Sequence, residues 1–142
     1  MITKIGLASW EGDLKTGKGT VSTQSNALQN HPYGFNTRFE GDKGTNPEEL
    51  IGAAHASCFS MALSKILGES DIVPDMISSE SIVHLEKDGD GFSITKIELQ
   101  SIITAFGADE AIVKGCAETA KEGCPISKLF NAEITLETTI KT

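Results

Sequence analysis

Three thiols, Cys58, Cys116 and Cys124, and one guanidinium, Arg38, are the side chains of this sequence from which covalent chemistry can be built. A thiolate, not a thiol, is the nucleophile, so each cysteine is judged by what its surroundings do to its proton. Cys124 follows Gly123, a helix terminator, and precedes Pro125, which fits the first position of a helix. That makes it a candidate N-cap, where backbone N–H groups and the helix dipole favour a thiolate. It reads equally as a plain turn residue. Cys58 lies in the middle of an apolar segment, where burial raises a thiol pKa and leaves a small inert hydrophobe unless a cation reaches it. Cys116 falls on the inward face of another helix and reads as core.

Of the 12 basic residues, 11 are Lys and one is Arg. A chain that solvates its surface with Lys and uses Arg once points to a need for guanidinium geometry there: permanent charge and five donors in a rigid fork. The plainer reading of Arg38 is a surface charge beside Phe39. Metal and nucleotide chemistry find little support. There is no Cys-x-x-Cys and no His-x-x-x-His, His31, His55 and His84 are far apart, and no glycine pattern opens a helix after a strand. His55 reads as a satisfied core histidine.

The elements that position these groups follow from periodicity and capping. Residues 4–11 and 18–24 read as strands joined by a turn over Asp13–Gly17. Residues 25–46 form a long loop rich in Asn, Gly, Thr and Pro, which its length marks as functional or packed. Asn46 is a good N-cap, Pro47 suits the first helical position and Glu49 completes a capping-box pattern. The helix so begun runs to about Leu67, stops at Gly68, and is apolar on nearly all sides, so it should be central and buried. Its Gly52, Ala53, Ala54, Ala56 and Ser57 would let another element approach closely. Residues 76–88 and 92–105 form a second hairpin turning at Asp88-Gly89-Asp90-Gly91, with Ile97, Leu99 and Ile103 on one buried face. A helix over 109–122 presents Ile112, Gly115, Cys116, Thr119 and Ala120 inward. A helical turn from Pro125 and a strand over 132–141 complete a single domain, residues 1–142. This order predicts an α+β fold with a mostly antiparallel sheet.

The 142 residues are 39% hydrophobic, enough for one core, and carry a net charge of −8, which disfavours nucleic acid and anionic membranes as partners. The segment Leu50–Leu67 is broken by His55, Ser57, Ser60, Ser64 and Lys65, so it reads as a core helix rather than a membrane span. With no secretory signal at its start the protein is expected to be cytoplasmic, where cysteines are more often catalytic, metal-binding or buried than disulfide-bonded.

The run Pro32-Tyr-Gly-Phe-Asn-Thr-Arg-Phe-Glu-Gly-Asp-Lys-Gly-Thr-Asn-Pro-Glu-Glu-Leu-Ile-Gly-Ala-Ala-His-Ala-Ser-Cys58-Phe-Ser-Met-Ala-Leu63 closely resembles the OsmC branch of the OsmC/Ohr hydroperoxide reductases. Trp10-Glu-Gly-Asp-Leu-Lys-Thr-Gly-Lys-Gly-Thr-Val-Ser-Thr23 and Gly123-Cys-Pro-Ile-Ser127 resemble it too, and the likeness covers essentially the whole chain. Cys116 matches no motif of the family. The resemblance implies an OsmC-like fold in an intertwined homodimer with active sites at the interface. It implies a cofactor-free peroxidase in oxidative and osmotic stress defence that acts on organic hydroperoxides and is recharged by a dithiol such as a lipoyl group. It makes Cys58 the attacking thiol and Cys124 the resolving one, joined as a disulfide, with Arg38 and Glu48 preparing the thiolate. The apolar Met61, Ile126 and Phe130 would suit an organic R group.

Ten helical positions separate Glu48 from Cys58, about 15 Å at 1.5 Å per residue. Glu48 is then too far to serve its own chain's Cys58, and the simplest geometry brings it from the partner chain to orient Arg38. Its plainer reading is a first-turn carboxylate that complements the helix dipole. Two other functions stand beside the peroxidase: a non-catalytic dimeric stress or binding protein with core cysteines, and a cysteine hydrolase with His55 or His84 as base.

Overall fold

The computed structural model describes all residues, Met1–Thr142, and the chain forms two compact units, residues 1–50 and 51–142. The first holds β1 (Gly6–Glu11), β2 (Lys18–Thr23) and β3 (His31–Tyr33) in an antiparallel sheet of order β1-β2-β3. It also holds the short helix α1 (Phe35–Phe39). Gly19 explains how two aromatic rings meet over this sheet. It pairs with Trp10 on one side and Tyr33 on the other. A Cβ there would lie 2.4 Å from the Tyr33 ring and 2.8 Å from the Trp10 ring, so only glycine lets them close to 5.6 Å between centroids.

The loop expected over 25–46 is thus partly regular: β3 and α1 lie inside it. Three residues of edge strand and five of helix are too short for a periodicity to register. Thr37 ties α1 down, its Oγ1 accepting from the Gly34 N–H at 2.9 Å and reaching the Thr45 carbonyl at 2.8 Å.

The long helix α2 (Pro47–Glu69) begins in the first unit and continues in the second. Asn46 caps it through Oδ1, which accepts the Glu49 N–H at 2.8 Å, an arrangement worth about 1 kcal/mol. The helix does not stop at Gly68. Asp71 takes the left-handed conformation (φ 57°), with Ile72 N–H bonded to the Leu67 carbonyl and Asp71 N–H to that of Gly68. This is a Schellman ending, and an aspartate fills it in place of glycine. Nor is α2 buried all round. Gly52, His55, Phe59, Leu63 and Leu67 form its buried face, while Ala53, Ala54, Ser57 and Met61 are exposed. By length and composition α2 would also pass for a membrane span, yet Phe59, Leu63 and Leu67 lie in the hydrophobic core of the second unit.

That unit contains β4 (Met76–Asp88), β5 (Gly91–Thr104) and β6 (Glu133–Lys141) in the order β4-β5-β6. The first pair is antiparallel and the second parallel. The sheet is therefore mixed, because α3 (Glu110–Gly123) and α4 (Pro125–Leu129) supply the crossover that a parallel pair requires. Ile97, Leu99 and Ile103 are fully buried, as the alternation along β5 predicts. The inward face of α3 is Val113, Cys116, Ala117 and Ala120, and Ile112 is 48% exposed. The expected stripe was rotated by one residue. The spacing of 113, 116, 117 and 120 is equally helical, and small residues leave the two faces hard to tell apart by hydropathy.

Candidate active site

Cys124 is the N-cap of α4: it is fully buried, and its Sγ accepts the Ser127 N–H at 3.3 Å. Pro125 holds the first helical position, so the chain cannot continue α3 and must turn at the cysteine. Cys58, half-buried on α2, is brought to the same place. The Ile126 backbone N–H and the Cys124 thiol are both close enough to act on its proton. No disulfide joins the two sulfurs. One helix interior and one helix start thus converge, and the two cysteines nominated by the sequence meet.

The Cys58 proton is held tighter than usual. Burial is the main cause, the neighbouring Cys124 adds to it, and the Ile126 N–H works in the opposite direction. None of these influences is a positive charge, so this environment alone favours the thiol over the thiolate.

Arg38, in the last turn of α1, and Glu48, in the first turn of α2, form an ion pair in the first unit. Arg38 Nη2 donates to Oε1 at 2.6 Å, and Nε spans both carboxylate oxygens at 3.2 and 3.1 Å. This corrects the expectation that Glu48 comes from a partner chain to orient Arg38: the carboxylate grips the guanidinium of its own chain. Glu48 is ten residues from Cys58 along α2, but α1 folds back onto the start of that helix and sets Arg38 against Glu48, a contact that no spacing along one helix reports. Arg38 also lies over the Phe39 ring, 5.2 Å from its centroid. With Trp10, Leu14, Tyr33, Phe35, Phe39 and Pro47 it lines an apolar pocket of about 300 Å³. Of the residues expected to face an organic group, Met61 is 77% exposed, whereas Phe130 stands edge-on to the His55 ring at 5.1 Å.

Beneath the two thiols lies a polar cluster whose assembly the sequence reading did not anticipate. His55, fully buried on α2, places Nδ1 3.0 Å from Ser81 Oγ on β4 and Nε2 2.8 Å from Ser127 Oγ on α4. Ser127 Oγ is in turn 3.2 Å from Cys124 Sγ. Gly52 lets α2 come this close to β4, since a Cβ there would meet the Ser81 carbonyl at 2.9 Å. Burial holds the imidazole pKa below its ordinary 6.5, so the ring is neutral. His55 is a satisfied core histidine, as the sequence suggested. The signal that was available is a pair of equal spacings: His55 stands three residues before Cys58, and Ser127 three residues after Cys124. His84, the other base considered, lies 3.0 Å from Glu98 on β5. Cys116 packs in the core, with Sγ 3.9 Å from Ser70 Oγ.

Residues 40–139 match the family described as OsmC-like protein. Peroxiredoxin OsmC of Escherichia coli (strain K12) is 57% identical over 140 residues, which span 99% of this chain and 98% of that protein. The organic hydroperoxide resistance protein OhrB of Bacillus subtilis (strain 168) is 32% identical over 108 residues, 75% of this chain and 76% of OhrB. The crystal structure of Bacillus subtilis OhrB superimposes with a TM-score of 0.70 at 27% identity, covering 95% of this chain and 98% of its own. With the family matched over most of its length and a peroxiredoxin matched end to end, the chain belongs to the OsmC-like family and is a peroxidase.

Proposed function

We propose that this peroxidase reduces organic hydroperoxides through Cys58 and Cys124. The Cys58 thiolate attacks the terminal peroxide oxygen, the O–O bond breaks, and the alkoxide leaves and takes a proton to become the alcohol. Cys58 is left as a sulfenic acid. The Cys124 thiol then displaces hydroxide from the Cys58 sulfur, forming the disulfide and water. A dithiol, of which a lipoyl group is the type, restores both thiols by exchange.

The observation that carries this reading is the convergence of Cys124 on Cys58. A thiol raised by burial needs a cation to ionise at neutral pH, and the Arg38–Glu48 pair of a second copy in a homodimer supplies it. The pair travels as a unit, since both partners belong to one chain. The apolar pocket lined by Arg38 favours an alkyl or aryl R group over water-like hydrogen peroxide. The substrate is thus an organic hydroperoxide met in the cytoplasm.

The test is turnover of a hydroperoxide panel coupled to a dithiol. Cumene and tert-butyl hydroperoxides should be consumed faster than hydrogen peroxide, and Cys58→Ser should abolish consumption in a folded protein. Retained turnover in that variant would exclude the mechanism.

A further inference from the structure

Resting on the function just proposed, we propose that Ser81, His55 and Ser127 form a buried hydrogen-bonded relay that takes up the Cys124 proton as this thiol attacks the oxidised Cys58. The contacts run without a gap from Ser81 Oγ to Nδ1 (3.0 Å), from Nε2 to Ser127 Oγ (2.8 Å), and from Ser127 Oγ to Cys124 Sγ (3.2 Å). The two histidine contacts join β4, α2 and α4, so no local turn requires them, while the third lies within the cap of α4.

The chemistry follows from the donor and acceptor count. A neutral imidazole has one N–H and one bare nitrogen, and each hydroxyl both donates and accepts. The chain can therefore run with Cys124 S–H donating to Ser127, Ser127 O–H donating to Nε2, and Nδ1–H donating to Ser81. As the Cys124 sulfur bonds to the Cys58 sulfur, the S–O bond of the sulfenic acid breaks. Hydroxide leaves and takes a proton from solvent to become water. The thiol proton passes to Ser127 Oγ, and the Ser127 proton passes to Nε2. The resulting imidazolium donates to both serines and returns its Nδ1 proton to solvent through Ser81, which is half-buried. One solvent proton is consumed and one released, so the step balances as thiol plus sulfenic acid giving disulfide and water.

Two further observations fit. The Ser127 N–H already points at Cys124 Sγ at 3.3 Å, so a thiolate formed there would gain the Ser127 hydroxyl as a second donor. His55 is kept neutral, and a protonated ring could accept nothing from Ser127. Burial alone lowers its pKa, with no charged side chain contributing. β4 presents Ser81 to it, α4 presents Ser127, and the titratable group it faces is the Cys124 thiol behind Ser127. Ser127 touches the reacting sulfur, and His55 acts through it as a positioning residue.

The experiment follows single turnovers of the full chain with one equivalent of cumene hydroperoxide, from pH 5 to 9. Peroxide loss reports the Cys58 step, and trapping by dimedone reports the sulfenic acid lifetime. Ser127→Ala should leave the first step within about twofold while slowing disulfide formation about 10²-fold, the usual contribution of a positioned proton acceptor. Wild-type resolution should fall at acid pH as His55 is protonated, then level off. In Ser127→Ala the plateau should give way to a steady rise with pH as free thiolate replaces the relay. Ser127→Thr, which keeps the hydroxyl, should restore both rate and plateau, a rescue that mere packing would not give. His55→Gln should lose the acid limb. If Ser127→Ala does not fold, the wild-type resolution rate in mixtures of light and heavy water decides: a bowed dependence on deuterium fraction supports several protons in flight, and a flat one overturns the relay. An unchanged pH profile in folded Ser127→Ala also overturns it while leaving the peroxidase intact. A wild type that consumes peroxide but forms no Cys58–Cys124 disulfide instead refutes the resolution step itself, and the relay with it.

Discussion

Replacing Arg38 by Lys keeps a charge and removes a fork, and the geometry of the ion pair says what that should cost. Nε and Nη2 grip Glu48 at 2.6 to 3.2 Å, fixing the guanidinium plane. Of its five N–H donors two are so used, and 5 − 2 = 3 are left to meet a substrate. Lys offers a single nitrogen with no plane. The loss of stability should be small. A hydrogen bond to a charged group contributes about 1.5–3 kcal/mol, but the Arg38 side chain is 36% exposed, and screening reduces this to about 0.5–1 kcal/mol. The loss of rate should be large, because a fixed donor aimed at the oxygen on which charge develops contributes about 10²–10³-fold. Arg38→Lys should therefore melt near wild type yet lose about 10²-fold in kcat/KM for cumene hydroperoxide. Arg38→Met should in addition move the pH dependence of Cys58 alkylation upward, since the charge itself is gone. Stopped-flow peroxide consumption, denaturant melts and alkylation rates measure the three quantities. An Arg38→Lys enzyme within about threefold of wild type, or an Arg38→Met protein whose Cys58 alkylates with an unaltered pH profile, would refute the reasoning.

Cys124→Ser should consume about one peroxide per site and stall as a sulfenic acid that dimedone traps; continued turnover would remove Cys124 from the resolving role. Cys116→Ser should keep full activity and lose about 1–3 kcal/mol in a denaturant melt, because it places a hydroxyl in the core. Cys58→Ser mixed with Glu48→Gln, with subunit exchange verified, should exceed the activity of Glu48→Gln alone, since one mixed site then combines Cys58 with an intact Arg38–Glu48 pair; an unchanged rate means the pair does not act across a dimer. His55 predicts an acid limb of stability. Its folded pKa lies below its ordinary 6.5, so the unfolded chain binds the extra proton first and stability is lost as pH falls through 6.5 toward the folded pKa. Melts between pH 7.5 and 5 should show this slope, and His55→Gln should flatten it, whatever its overall stability.

Cys124 was legible in the sequence as a helix cap because it sits in a strong local pattern, whereas Cys58, Arg38 and Glu48 stood out as candidates through the family resemblance. Gly123-Cys124-Pro125 encodes a helix end, a cap and a helix start within three positions, and Cys124 is that cap. Asn46 and Pro47 start α2 for the same kind of local reason. The alternation of β5 gave its buried face without reference to any other element. What the sequence could not decide is how separate elements meet. Whether Glu48 reaches Arg38 of its own chain depends on α1, a five-residue helix folding back onto the start of α2, and no periodicity reports that. The parallel pairing of β6 depends on which edge of the sheet the α3–α4 crossover returns to. The cluster of Ser81, His55 and Ser127 is drawn from residues 26 and 72 positions apart, joined only because Gly52 lets α2 settle against β4. Local chemistry chose the residues, since capping, alternation and burial act over a few positions. Tertiary packing chose their partners, since a hydrogen bond between elements forms only where backbone approach and desolvation allow it.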